Sequence, residues 1–187
     1  MAQAADVFSQ FKTVFFTGDG PQLGPQRRPG ALGLAELDRQ FDAFSTAVAL
    51  EPRLKLPLRS AALLWHDHLD ASHDISQGLE TREGSWLHGI MHRREPDYGN
   101  AQYWFQRVGS HPAFPALATR VNVLLGDDQN ELARRLAAGG KWSAEAFIDE
   151  CERAEQGGDA VLTAVLRQIQ AAEFDTFLAH LFNPTEL

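Results

Sequence analysis

A chain of 187 residues with 44% apolar residues and a formal charge of -8 has the length of one domain and enough apolar surface to fold without a covalent staple. Its single cysteine excludes a disulfide framework and a cysteine-rich zinc site, and the acidic balance opposes attraction to phosphate backbones. No apolar run is long enough to span a bilayer and no basic region precedes an apolar core at the N-terminus, so the expectation is a soluble, cytoplasmic chain that binds neither membrane nor nucleic acid.

Residues 1–33 open with an apolar segment at 7–16 and continue through GDGPQLGPQRRPG, whose glycines and prolines rule out a long regular element. The cluster of Phe8, Phe11, Val14, Phe15 and Phe16 predicts that this loop-rich arm docks on the body, because so many exposed phenylalanines would promote aggregation. A single helical domain is expected over 34–187. Leu37, Phe41, Phe44 and Val48 share one face of a helix at 34–50, and Pro52 and Pro57 suggest an extended connector. One central helix is then expected over 58–77, ending at Gly78.

A second pair of helices follows at 84–95 and 96–108, turned at Glu95-Pro96 and stopped by Gly109 and Pro112. Short helices are expected at 116–125 and 128–138. Ser143 caps a helix that stops at Gly157-Gly158, and Asp159 caps a final one with Val161, Val165, Leu166, Ile169, Phe174, Leu178 and Leu181 facing inward. No strand pair with a hairpin turn stands out. The expected class is all-α, an irregular antiparallel helical bundle. A short internal match, Asp67-His68-Leu69-Asp70-Ala71 against Asp97-Tyr98-Gly99-Asn100-Ala101, hints at a repeated unit.

The string EPDYGNAQYWFQRVGSHP resembles the second helix of a tetratricopeptide repeat, in which Gly-Asp-Tyr precedes a small residue, an aromatic pair and a proline after the helix. Pro96 stands where the repeat has glycine, and Gly109 and Ser110 where it has larger residues, so the resemblance covers one hairpin. The longer string HGIMHRREPDYGNAQYWFQRVGSHP, with LDASHDISQ ahead of it, resembles a family of uncharacterised bacterial and fungal proteins. That resemblance implies no activity.

Two constellations carry chemistry. His66, Asp70 and His73 fall at i, i+4 and i+7 on the expected 58–77 helix, and His88, His92 and Glu95 repeat that spacing on the next. Each trio makes a stripe of imidazole and carboxylate groups, which suit zinc, manganese or iron held between helices; a solvated face is the plainer alternative. The second constellation is Asn100, Tyr103 and Arg107 with Arg93 and Arg94, where guanidinium forks can grip a carboxylate or phosphate. For Arg94, close to the apolar face, an internal ion pair with Asp97, Asp70 or Glu173 competes with that role. His68 and His111 read as surface or capping residues, His111 against a helix dipole. Cys151 sits among acids that disfavour a thiolate, and neither a serine elbow nor a phosphate-cradling glycine loop is present.

The leading expectation is therefore a binding or scaffold module that presents the polar face of the 84–109 hairpin to a peptide or protein partner. The alternative is a metal-dependent, hydrolase-like enzyme with its site between the 58–77 and 84–95 helices.

Overall fold

Helical periodicity is realised along the chain. The computed structural model describes residues 2–18, 20–126 and 131–183, and among them are ten α-helices and no strand. The bundle is all-α and irregular.

The first helix, α1 (Ala2–Phe15), starts well before the expected apolar segment. Phe11 and Phe15 are fully buried and meet Phe41 and Phe44 of α2 (Leu34–Ala47) at ring centroid distances of 5.5–5.8 Å. Each buried ring contributes about 1.5–3 kcal/mol of hydrophobic stabilisation. The glycine- and proline-rich segment that follows has no ladder of its own, so its backbone groups bond to side chains of the body. Thr17 O accepts from Trp65 Nε1 (3.0 Å), Gln22 O from Gln170 Nε2 (2.9 Å), and the Gln22 and Arg28 amides donate to Asp67 (3.1 and 3.0 Å).

Two expectations fail at the next helices. The proposed connector is instead α3 (Pro52–Trp65), with Pro52 in the first turn and Pro57 buried inside it. An interior proline costs about 3 kcal/mol in a helix, yet Leu54, Leu58, Ala61 and Trp65 continue one buried stripe through it. The single 58–77 helix is also broken, into α3 and α4 (Leu69–Ser76). Asp67 adopts a left-handed φ of 63°, His68 N donates to Leu63 O at 2.9 Å and Asp67 N to Leu64 O at 3.1 Å. These paired bonds close a helix C-terminus in the manner usually served by glycine, here with an aspartate in its place.

The hairpin is α5 (Arg82–Arg94) and α6 (Tyr98–Val108). Thr81 and Asp97 cap the two helices by accepting from the Gly84 and Asn100 amides. Arg82 Nε donates to Val108 O at 2.8 Å, so the far ends of the two helices meet and the pair is antiparallel. The two stretches of the short internal match both fall at helix corners, one residue out of register: Asp67 follows the cap His66 directly, whereas Pro96 separates Asp97 from the cap Glu95.

Next come α7 (Phe114–Leu125), α8 (Glu131–Ala137) with a tight 3-10 turn at Ala138–Gly140, and α9 (Ala144–Gly157). The expected start of α8 at Asp128 lies outside the described residues. Ser143 and Asp159 cap as expected, and Gly158 takes the left-handed conformation that ends α9. The last helix, α10 (Ala160–Phe182), runs through the core; Leu166, Ile169, Phe174, Phe177 and Leu178 are fully buried. Val161 is the exception to its expected stripe, 77% exposed at the end of the helix. No helix among the described residues is long and apolar enough to cross a membrane.

Two buried ion pairs lock the hairpin to this core. Arg93 meets Glu173 at 2.6 Å and Gln170 at 3.0 Å, with the Phe147 ring 4.4 Å from its guanidinium carbon. Arg94 meets Asp67 at 2.5 Å. All four of these charged side chains are 0% exposed.

Candidate metal centre

Three imidazoles converge where α4 packs on α5. The Asp67 corner sets the direction of α4, and Gly84 lets the α4–α5 link pass close: a Cβ there would lie 2.3 Å from Leu79 O. His73 is thereby carried over His88 and His92, which stand one turn apart on α5. Ring centroids are 4.7 Å apart for His73 and His88, 5.7 Å for His73 and His92, and 4.8 Å for His88 and His92. One ring nitrogen from each lies within 4.8 Å of the other two.

The buried Nδ1 atom of His88 has no hydrogen-bond partner. Burial lowers the His88 pKa to about 4, reinforced by His92 and His73, while the Ser76 backbone carbonyl hydrogen-bonds the ring and pulls the other way. Burial also lowers that of His92, against the opposing charges of Glu95 and Asp97. Both rings are therefore neutral at neutral pH and offer lone pairs. Glu95 Oε2 and Asp97 Oδ2 lie 3.4 and 3.9 Å from His92 Nδ1. A proton held there by these carboxylates leaves Nε2 as the ligating atom, the outer-shell pairing common around metal-bound histidines.

Helix α6 supplies the other wall. Trp104 stacks on His88 with centroids 4.0 Å apart and planes at 16°. The Arg107 guanidinium lies 5.3 Å from Trp104 and 5.9 Å from Tyr103. Asn100 donates to Asp97 Oδ2 at 2.6 Å. The two constellations that look separate in the sequence thus adjoin, with Asn100, Tyr103 and Arg107 exposed along the rim of the histidine cluster.

This approach depends on Gly89, where a Cβ would meet the Phe105 ring at 2.7 Å. Gly89→Ala is expected to lose about 1–3 kcal/mol by overpacking, measured as a lower urea midpoint with an unchanged denaturant slope.

The other expected ligands lie elsewhere. The break at Asp67 takes His66 off the face of His73; its Nδ1 accepts from Leu32 N at 3.1 Å and its Nε2 bonds Phe15 O at 2.9 Å, so both nitrogens are engaged by backbone. Asp70 is exposed and lines a separate cavity of about 570 Å³ with His68, Asp74 and Glu95. Glu95 itself sits beside His92, outside the three-nitrogen group. Arg93 and Arg94 are not presented to a ligand: both serve the buried pairs described above, and the acid facing Arg94 is Asp67, none of the three expected.

Sequence reasoning missed a second convergence, Glu83, His111 and His180, whose ligand atoms also lie within 4.8 Å of one another. No sequence pattern singles out Glu83 or His180, and His111 reads as a dipole partner of the preceding helix. No local spacing links residues on α5, before α7 and on α10; only the fold brings them together.

Comparisons with protein-family models, with curated proteins and with solved structures gave no match.

Proposed function

We propose that this protein binds a divalent metal ion through His73, His88 and His92 and uses it for hydrolysis. The observation that carries this reading is the convergence of three imidazoles, where the buried Nδ1 of His88 has no hydrogen-bond partner. Around zinc at about 2.0–2.1 Å, three histidine ligands leave a fourth position for water, whose pKa the ion lowers to about 7. The nitrogens lie within 4.8 Å of one another, so gathering them around one ion requires the rings to turn toward a common point. Because His88 is held near 4, protons do not compete for it at neutral pH.

The exposed residues Asn100, Tyr103 and Arg107, expected as a partner surface of their own, become in this reading the rim over which a substrate reaches the ion. Trp104 backs His88 and fixes its ring plane. Glu95 and Asp97 orient His92.

Elemental analysis of untagged protein tests the site. His88→Ala and His92→Ala are each expected to lose one equivalent of metal per chain while remaining folded by circular dichroism. Retention of that equivalent in both variants overturns the site. The hydrolytic step is tested separately with activated carboxylate and phosphate esters, where activity removed by a chelator and restored by zinc is the expected result.

A further inference from the structure

The cluster of Glu83, His111 and His180 is independent of the three-histidine site. Glu83 stands in the first turn of α5, His111 in the link before α7, and His180 in the last turn of α10. Glu83 Oε1 lies 3.6 Å from His111 Nε2 and 3.4 Å from His180 Nε2, and the two rings are 4.5 Å apart. The imidazoles are nearly sealed from solvent, with side chains 1% and 8% exposed. Trp86 and Phe114 pack on the His111 ring at centroid distances of 4.8 and 5.6 Å. Within this apolar shell, His111 Nε2 lies 3.6 Å from Glu83 Oε1, beyond hydrogen-bond reach, and has no other partner. Buried polar atoms without partners are rare, and each asks for a ligand or a reason.

We propose that Glu83, His111 and His180 form a second divalent-cation site, a structural clasp joining the start of α5, the α6–α7 link and the end of α10. Two imidazoles and one carboxylate suit zinc or ferrous iron. All three side chains come from different elements, so the ion ties together parts of the chain far apart in sequence. Its burial separates it from the exposed rim of the first site and makes its role stability.

The metal-free arrangement of His111 supplies a reporter. Its Nδ1 accepts from the Ala113 amide at 3.2 Å, so the neutral ring carries its proton on Nε2, facing Glu83. An ion at Nε2 moves that proton to Nδ1 and breaks the Ala113 bond. Zinc binding must therefore change the environment of the Ala113 amide.

The test dialyses full-length, untagged protein against zinc and counts bound metal in wild type, His88→Ala, Glu83→Gln and His180→Gln. Two equivalents in wild type, falling to one in each variant, support the clasp. Zinc titration of the wild type followed by NMR is expected to shift the Ala113 amide, a readout that needs no variant to fold. One equivalent lost in His88→Ala but kept in Glu83→Gln and His180→Gln overturns the clasp and leaves the first site standing. One equivalent lost in Glu83→Gln and His180→Gln but kept in His88→Ala supports the clasp and overturns the first site. An Ala113 amide that zinc leaves unmoved also overturns the clasp.

Discussion

Glu173→Ala is expected to lose about 3–5 kcal/mol of stability, because removing one partner of a buried ion pair leaves the other charge uncompensated. Arg93 is 1% exposed, and its guanidinium is fixed by Glu173 and Gln170 on one side and by Phe147 on another. The same carboxylate accepts from Trp86 Nε1 at 3.0 Å, so the substitution orphans an indole N–H as well. Urea denaturation monitored by tryptophan fluorescence gives the measurement. The double variant Arg93→Met with Glu173→Leu separates the pair from its burial: removing both charges is expected to recover most of the loss, since apolar replacement of a buried pair is often neutral or stabilising. A double variant as unstable as Glu173→Ala would show that the packing of these side chains, and not the uncompensated charge, sets the effect.

The legible parts of this fold are those whose chemistry is local. Ser143 and Asp159 announce helix starts because each cap bonds amides two or three residues ahead, and Gly158 announces a stop because it alone supplies a left-handed residue cheaply there. His88 and His92 were visible as a pair for the same reason. His73 was visible only in part: its spacing from His66 suggested a shared stripe, yet the ring that matters lies across the helix interface, on α5. The break that separates His66 from His73 had no glycine or proline to mark it. It exists because a left-handed Asp67 gains partners from α5 and from the N-terminal segment, both distant in sequence. Pro57 errs in the opposite sense, a local breaker overruled by the apolar stripe on either side of it. Glu83, His111 and His180 lie beyond any local pattern.

Asp67 is the position where these long-range effects concentrate, and Asp67→Ala is expected to lose at least as much stability as Glu173→Ala, about 3–5 kcal/mol. Its carboxylate accepts from Arg94 at 2.5 Å, from the Arg28 side chain and amide at 3.0 Å, and from the Gln22 amide at 3.1 Å. Alanine would also strain the left-handed φ of 63°, which aspartate and asparagine tolerate better. Asp67→Asn separates these contributions, since it keeps the backbone preference and the shape but removes the charge opposite Arg94; an intermediate loss is expected. Burial drives the Arg94 pKa down to about 10 against the pull of Asp67, and since a guanidinium does not lose its proton in proteins, the charge is left uncompensated in both variants. The pH dependence follows from the same contacts. Burial alone would raise the Asp67 carboxyl, but the Arg28 amide, the Arg94 charge and the Gln22 amide outweigh it and hold the group below its ordinary value. A carboxylate depressed in the folded state contributes stability that is complete above the unfolded pKa of about 3.9 and is lost as pH falls through the folded value. Wild type is therefore expected to lose stability on acidification below about pH 4, and Asp67→Asn to lose less over that interval. Denaturation curves taken from pH 7 downward measure the difference. Parallel curves for the two proteins would place the acid sensitivity on other carboxylates, with Glu83, also held low by His111 and His180, the first to test.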